Sequence, residues 1–237
     1  MTSGFNLLCL PCAGASASMY IRWNRLLPDW INVIPLELPG RGARLDQTPV
    51  DDFASQIDGL LSDYQAHFTS PFAIFGHSMG ALLAYGMTQA MVAKQMPLPA
   101  RLLLSACSAP HKFDPTRFPD PQDRQALIAD LKRLGGTPDA LFDSPELLAM
   151  TLDILAADYQ LLRGFSANTA EQLPIPINVL AGREDELDLS TIAAWQECSS
   201  KETSLTQFDG DHFYIQAHEA QLLTYISQCL SAQVTKA

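Results

Sequence analysis

The sequence predicts an α/β protein built on a mostly parallel sheet, and three observations support this fold class. Short apolar segments rich in Leu, Val and Ile alternate with longer segments of helical periodicity. Most of the short segments are apolar almost throughout, which is typical of parallel strands covered on both faces. The chain has 237 residues, of which 47% are hydrophobic, and this suits one domain with a sizeable core. We therefore predict a single domain over residues 1–237.

Six apolar segments are predicted as strands, and the segments between them as helices. The strands are expected at residues 5–10, 31–38, 72–76, 101–107, 177–181 and 204–208. Residues 51–68 begin with two Asp residues suited to a helix N-terminus and then place apolar side chains at helical intervals. Residues 79–94 and 219–230 show two more helical patterns. This alternation predicts βαβ units.

Residues 110–173 interrupt the alternation. They contain no convincing strand, their first part is rich in Pro, and helical patterns follow at 124–136 and 144–165. A segment of this length between two strands exceeds an ordinary crossover. We therefore predict a helical insertion over residues 110–173.

The net charge bears on the class of partner. The formal charge is −11, from 26 acidic and 15 basic residues, which argues against nucleic acid as a partner. The densest basic cluster consists of Arg22, Arg25, Arg41 and Arg44. We interpret these four residues as ordinary surface charges rather than a docking site.

The termini and the cysteines indicate the compartment. No apolar run is long enough to cross a bilayer, and "MTSGFNLL" lacks the features of a secretory signal, so we expect a soluble, cytoplasmic protein. Five cysteines without an export signal are expected to be free thiols. Cys9 and Cys12 form a C-x-x-C pair, but no second pair follows, so a zinc site would lack half its ligands.

The stretch "FGHSMGALLAYG" carries the strongest chemical signal. Residues 76–80 fit G-x-S-x-G and fall between a predicted strand and a predicted helix, which is the context that this nucleophile motif requires. Such a turn presents Ser78 at the carboxyl end of the sheet, above a helix N-terminus that favours negative charge. We predict Ser78 as the nucleophile.

A serine nucleophile needs a base, and the base needs an acid that orients it. In this architecture the three residues occur along the chain in the order Ser, Asp/Glu, His. His212 comes just after the last predicted strand, in a loop that contains a Gly, and is the predicted base. His111 precedes every plausible acid, His218 lies at the last helix, and His77 is expected to pack beside Ser78.

The predicted acid is Asp185, which comes directly after the preceding strand. Glu184 is its main competitor. The other acidic residues near either strand end are less suitable, because they lie towards the next helix or too close to His212 in sequence: Glu186, Asp188, Asp209 and Asp211.

An oxyanion intermediate needs two backbone N–H donors. One is the amide after the nucleophile, that of Met79, and the other comes from the loop after an early strand, here "CLPCAGAS". Ala13 is the preferred second donor and Gly14 the alternative. On this interpretation the backbone at Ala13 matters, Cys9 is a buried small hydrophobic residue, and Cys12 lies beside the site without a role for its sulfur.

At these residues the chain resembles the type II thioesterases, stand-alone α/β-hydrolases that accompany nonribosomal peptide and polyketide synthases. Four segments carry the resemblance in order, over nearly the whole chain: "LPCAGASASMYIRW", "PLELPGRGARL", "FGHSMGALLAY" and "GREDEL…FDGDHFYI". The "PGRGAR" element separates this family from generic esterases. Family members more often carry an aromatic residue or His where this chain has Cys12, and a Gly where it has Ala15.

The resemblance implies an α/β-hydrolase fold with a helical lid, here residues 110–173, and a triad of Ser78, Asp185 and His212. It implies hydrolysis of acyl thioesters on the phosphopantetheine arm of carrier proteins, which removes stalled or misprimed acyl groups. Carrier domains of a synthase are then the partners, the protein is expected to be a monomer, and no metal or cofactor is needed. The lid residues Phe113, Leu148, Leu155, Tyr159 and Phe165 could serve as packing or as acyl contacts.

Four other functions remain open at this point. A medium-chain fatty-acyl carrier thioesterase or a small-molecule carboxylesterase would use the same triad. A catalytically inactive hydrolase fold could only bind a carrier domain. A thioredoxin-like oxidoreductase would depend on Cys9 and Cys12 alone.

Overall fold

The strands form one parallel sheet in the computed structural model, which describes residues 4–166 and 171–234. They are β1 Phe5–Leu10, β2 Ile31–Pro35, β3 Phe72–His77, β4 Leu102–Ser105, β5 Ile177–Gly182 and β6 Thr203–Phe208. All six predicted strands are confirmed. β2 ends at Pro35, earlier than predicted, although Leu36 and Leu38 beyond it remain buried. Apolar patterning reports burial, and here burial continues past the end of the strand.

The strand order places the loops after β1 and β3 side by side. The order across the sheet is β2-β1-β3-β4-β5-β6, and every pairing is parallel. After β1 the chain therefore adds β2 on one side of β1, and it later adds β3 and the remaining strands on the other side. Ligands of open parallel sheets bind at such a switch point, at the carboxyl ends of the strands.

The helices match the long helical patterns of the sequence. The α-helices of the described ranges are α1 Trp23–Leu26, α2 Phe53–Asp63, α3 Met79–Ala93, α4 Arg124–Leu134, α5 Asp139–Phe142, α6 Pro145–Arg163, α7 Leu189–Ala193, α8 Tyr214–Ala217 and α9 Glu219–Val234. The sequence did not predict α1, α5 and α8, and it indicated α7 only as the helix expected after Asp188. Each of these spans only four or five residues, too few to show a helical period.

Buried side chains cover both faces of the sheet, as the apolar strands predict. Side chains of successive strand residues point to opposite faces. Ile74 of β3 packs in the cluster formed with α2, α3 and the segment after β4, whereas its neighbours Ala73 and Phe75 pack in the cluster formed with α1 and α9. The core therefore lies in two layers around a central sheet.

The described residues between β4 and β5 form α4, α5 and α6 and two 3-10 turns, with no strand among them. The predicted helices at 124–136 and 144–165 correspond to α4 and α6. Residues 167–170 of the predicted insertion lie outside the described residues. Leu152, Leu155, Tyr159 and Leu162 of α6 are buried against the core, so this helix covers the sheet end where the loops converge.

Candidate active site

Ser78 occupies the sharp turn between β3 and α3. Its backbone has φ 54° and ψ −116°, a region that non-glycine residues rarely adopt. The Ser78 amide donates to the Ser105 carbonyl of β4 at 2.7 Å, which ties the turn to the neighbouring strand. A residue held in a strained conformation between a buried strand and a buried helix is characteristic of functional sites. The structure thus has the strand–turn–helix context that the motif predicts.

The two glycines of the motif allow this turn to pack. A Cβ atom on Gly76 would overlap with the carbonyl group of Gly80, in the first turn of α3. A Cβ atom on Gly80 would overlap with the Leu10 carbonyl at the end of β1. Both collisions involve backbone atoms, which cannot rotate away as a flexible side chain can. The motif therefore brings α3 against β1 as well as presenting Ser78.

His212 and Asp185 are in direct contact. The Nδ1 atom of His212 lies 2.9 Å from Oδ2 of Asp185, and their side chains are 7% and 3% exposed. The other oxygen of Asp185, Oδ1, accepts from the Leu187 amide at 3.2 Å. The contact to Nδ1 leaves Nε2 as the ring nitrogen that can exchange a proton elsewhere. Ser78 and His212 line the same cavity.

The loops that carry this pair are joined through their backbones. The Arg183 amide donates to Phe208 at 2.8 Å, and the Glu184 amide donates to Gly210 at 3.0 Å. A Cβ atom on Gly182 would overlap with the carbonyl groups of Gly210 and Asp211, so only glycine lets the two loops lie this close. The strand ends of β5 and β6 therefore fix the acid beside the base.

Opposing effects act on the pKa of Asp185. Burial acts to raise this pKa, whereas the hydrogen bond and charge of His212 and the amide of Leu187 act to lower it. The net result is a pKa below the ordinary value for aspartate. The carboxyl group is therefore ionised at neutral pH and can stabilise a positive charge on His212.

The competing acids have other partners or face solvent. Glu184 is exposed, and Glu186 forms an ion pair with Arg133 of α4. Asp188 accepts from the Ser190 amide at 2.8 Å and caps the N-terminus of α7. Asp209 pairs with Arg183, and Asp211 accepts a hydrogen bond from the Phe213 amide.

His77 is buried beside the site rather than exposed to substrate. Its Nδ1 atom lies 2.9 Å from the Ser105 hydroxyl, which in turn lies 2.7 Å from the hydroxyl of Tyr214. Burial, and to a lesser extent the charge of His212, hold the pKa of His77 well below its ordinary value. His77 is therefore neutral and packs behind the turn, as predicted.

The loop after β1 forms a tight turn beside Ser78. The Ala15 amide donates to the Cys12 carbonyl at 3.2 Å, and Ala13 and Met79 line the cavity with Ser78. The Gly14 amide donates to Oδ2 of Asp158 at 2.8 Å, whereas the amides of Ala13 and Met79 make no hydrogen bond within the described ranges. In this structure Gly14 is therefore not available as an oxyanion donor.

The interpretation of Arg41 as a surface charge is wrong. Arg41 and Asp158 form an ion pair in which each side chain is only 3% exposed. Asp158 is not among the residues that the sequence predicts for the site. A signal was present, because Leu155, Asp158 and Leu162 follow one another at helical spacing on the apolar face of a helix. An ionised group in such a position needs a buried partner.

The cavity at Ser78 is lined mainly by apolar side chains of the segment between β4 and β5. Of the predicted lid residues, Phe113, Leu155 and Tyr159 line it, whereas Leu148 and Phe165 do not. Further apolar lining comes from Phe118, Leu131, Leu134, Leu162 and Leu187. Its volume is ≈ 50 Å³, far below the roughly 300–1,000 Å³ of typical ligand pockets. The site beside Ser78 is therefore a narrow cavity with largely apolar walls.

The thiols are free, and the structure contains no disulfide between Cys9 and Cys12. Cys9 is fully buried in the core, and Cys12 lines the cavity. Burial and the nearby Asp158 raise the pKa of Cys12 to about 12, so its thiol is protonated at neutral pH. A protonated thiol is a weak nucleophile and a weak metal ligand.

Metal sites and membrane-spanning helices are not found in the described ranges. Within residues 4–166 and 171–234, no three His, Cys, Asp or Glu side chains are grouped as a metal site requires. None of the helices there has the length and apolarity needed to span a bilayer.

The parallel sheet, the strained serine between β3 and α3, and the His–Asp pair at the next strand ends define an α/β-hydrolase. The chain belongs to the Thioesterase domain family, whose model matches residues 5–230. It is therefore a hydrolase that acts on thioesters.

Relatives and solved structures cover nearly the whole chain. The crystal structure of ClbQ from the colibactin NRPS/PKS pathway superimposes with a TM-score of 0.88 at 30% identity, over 99% of this chain and 100% of that one. The type II thioesterase BorB from the borrelidin biosynthetic cluster gives a TM-score of 0.83 at 29% identity, over 96% and 93%. The medium-chain S-acyl fatty acid synthase thioesterase of Homo sapiens is 28% identical over 233 residues, which is 95% of this chain and 87% of that protein.

Proposed function

We propose that this protein is a type II thioesterase that hydrolyses acyl groups from the phosphopantetheine arm of carrier proteins in nonribosomal peptide or polyketide synthesis. The single observation that carries the proposal is the buried His212–Asp185 contact on the cavity that also contains Ser78. Similarity to ClbQ and BorB supports the choice of pathway. We further propose that the enzyme is a cytoplasmic monomer that needs no metal or diffusible cofactor.

In the first half of the reaction, Ser78 attacks the thioester. Nε2 of His212 accepts the hydroxyl proton of Ser78 while Oγ bonds to the carbonyl carbon. The resulting oxyanion is bound by the amides of Met79 and Ala13. The carbon–sulfur bond then breaks, and the departing pantetheine thiolate receives the proton from His212.

The second half releases the acyl group as a carboxylic acid. Water gives a proton to Nε2 of His212 and attacks the acyl-serine, and collapse of the second oxyanion returns the proton to Oγ of Ser78. Asp185 stays ionised in both halves, because its low pKa opposes protonation, and it stabilises the imidazolium of His212. The carrier protein is left with a free thiol and can be loaded again.

The test is mass spectrometry of acyl-carrier domains incubated with wild type and with Ser78→Ala. Wild type is expected to remove the acyl mass and leave the phosphopantetheine, whereas Ser78→Ala leaves the acyl group in place. Ser108→Ala is a matched control, because Ser108 lines the same cavity while its hydroxyl lies 2.9 Å from the hydroxyl of Thr191. Equal deacylation by wild type and Ser78→Ala would overturn the proposal.

Fluorophosphonate labelling separates this proposal from an inactive carrier-binding fold. We expect label on wild type and Ser108→Ala and none on Ser78→Ala. An unlabelled wild type would support the inactive fold. A higher kcat/KM on p-nitrophenyl esters than on acyl-carrier thioesters would instead support a carboxylesterase.

The second candidate is a medium-chain acyl thioesterase of fatty-acid synthesis, which the similarity to the human protein favours. The two candidates differ in the acyl groups they prefer. An editing enzyme is expected to remove short acyl groups at a rate similar to longer ones, whereas a chain-terminating enzyme should show a sharp maximum at medium length. A series of acyl-carrier substrates of increasing chain length distinguishes them.

A further inference from the structure

A buried ion pair connects the loop after β2 with helix α6. Nη2 of Arg41 lies 2.5 Å from Oδ1 of Asp158, and Nη1 lies 2.7 Å from Oδ2. This bidentate arrangement is the strongest form of a guanidinium–carboxylate contact. Burial acts to lower the pKa of Arg41, but Asp158 outweighs it and the pKa is raised. The Arg41 guanidinium is therefore ionised at neutral pH.

The same pair holds the loop that carries Ala13. Oδ2 of Asp158 also accepts the Gly14 amide at 2.8 Å, and Nη1 of Arg41 also donates to the Ala15 carbonyl at 3.2 Å. Leu155, one turn earlier on α6, packs at Gly14, where an added Cβ atom would lie 3.2 Å from its Cδ1. Two charged groups and one apolar contact thus fix the backbone on both sides of Gly14.

Stability alone does not explain this arrangement. Burying two charges is costly, and replacing such a pair with apolar residues is often neutral or stabilising. Nε of Arg41 is also buried without a hydrogen-bond partner within the part of the chain that the structure describes. The polar atoms that the pair does bind belong to the loop beside Ser78.

We propose that Arg41 and Asp158 are positioning residues for the oxyanion hole, which together turn the Gly14 amide away from the cavity and hold the Ala13 amide towards Ser78. The inference rests on the function proposed above. Asp158 acts by accepting the hydrogen bond of the Gly14 amide. Arg41 acts by orienting Asp158 and by donating to the Ala15 carbonyl. The oxyanion forms only after attack on the thioester, so this positioning acts on the transition state rather than on substrate binding.

The experiment compares steady-state kinetics of three variants on one acyl-carrier thioester. Asp158→Asn breaks the bidentate pair, and the double variant Arg41→Met with Asp158→Leu removes both charges so that neither is left unpaired. We expect kcat to fall about 10²-fold in both, the loss typical of one oxyanion donor, with KM within about 3-fold of wild type. Asp153→Asn is the matched control, because Asp153 lies on α6 like Asp158 but forms an exposed ion pair with Arg124 of α4, and its kcat should be unchanged.

Thermal unfolding separates positioning from stability. Asp158→Asn is expected to lower the Tm, since it leaves the Arg41 charge poorly paired, while the double variant should recover much of that loss. For a purely structural pair, kcat would recover along with the Tm. For positioning residues, kcat stays low in the double variant although its Tm is restored.

A boronic acid provides a second readout, because it binds Ser78 as a tetrahedral adduct that resembles the oxyanion intermediate. Its Kd should rise in the two positioning variants by about the factor by which kcat falls, while the Kd of a non-hydrolysable thioether analogue stays unchanged. A kcat within 3-fold of wild type in the double variant, or a raised KM with unchanged kcat, would overturn the inference. If wild type neither hydrolyses the thioester nor binds the boronate, the proposed function itself fails and this inference falls with it.

Discussion

Oδ2 of Asp185 accepts a hydrogen bond from Nδ1 of His212 at 2.9 Å, although 27 positions separate the two residues along the chain. The contact exists because β5 and β6 are adjacent parallel strands whose carboxyl ends meet at the same edge of the sheet. Asp185 follows one of these strands and His212 the other. The acid therefore lies beside the base through sheet register and not through local sequence.

We predict that Asp185→Asn lowers kcat by roughly 10³–10⁴-fold, since an amide neither fixes the correct tautomer of His212 nor stabilises its positive charge. The measurement is steady-state hydrolysis of an acyl-carrier thioester. Glu184→Gln is the matched control, because Glu184 is the exposed neighbour of Asp185, and its kcat should stay within about 2-fold of wild type. A larger loss in Glu184→Gln than in Asp185→Asn would assign the acid to Glu184.

The lowered pKa of Asp185 predicts how its contribution to stability depends on pH. The unfolded chain binds a proton at this carboxyl group at a higher pH than the folded protein does. The stabilising contribution is therefore complete above about pH 4, the unfolded-state pKa, and is lost as the pH falls through the lower folded-state pKa. The difference in Tm between wild type and Asp185→Asn should shrink below about pH 4 in a thermal unfolding series. A difference that grows in acid would contradict the direction of the shift.

Gly76→Ala is predicted to prevent the turn at Ser78 from packing. The new Cβ atom would collide with the Gly80 carbonyl, and because the obstacle is backbone, we expect a loss of more than about 3 kcal/mol in the free energy of unfolding. Gly59→Ala is the control, because Gly59 lies in α2 with open space around it, and this change should stabilise the protein by about 0.4–1 kcal/mol. Urea denaturation measures both changes. Equal stability of the two variants would show that the close approach at Gly76 is not required.

Cys12→Ser is predicted to retain activity within about 3-fold of wild type, since the thiol is protonated at neutral pH and the neighbouring backbone carries the proposed function. The double variant Cys9→Ser with Cys12→Ser tests the oxidoreductase hypothesis further, because that hypothesis predicts complete loss of activity in it while Ser78→Ala stays active. In a thioester hydrolysis assay we expect the double cysteine variant to stay active and Ser78→Ala to be inactive. Iodoacetamide treatment of wild type should likewise leave most of the activity.

Local sequence patterns were sufficient for the fold class, the strands and the catalytic candidates. Apolar segments such as β3 indicate burial on both faces. G-x-S-x-G indicates a strand–turn–helix, because that turn packs so closely that it has no room for a Cβ atom at either glycine. The order of Ser78, Asp185 and His212 along the chain then follows from the order of the strands. Each of these inferences depends on neighbours in sequence or on a rule about strand ends.

The oxyanion loop and the role of Arg41 needed the tertiary structure. Ala13 and Gly14 lie in the same small-residue loop, and nothing local shows which amide is free. The difference comes from Asp158, which is 144 positions from Gly14 and accepts the hydrogen bond of its amide. From the sequence alone, Arg41 resembles an ordinary surface charge. Its burial results from its ion pair with Asp158 of α6. Hydrogen bonds and ion pairs between distant segments are set by how the helices pack on the sheet. The helical spacing around Asp158 indicates that this residue is buried, but it does not indicate which residues are its partners.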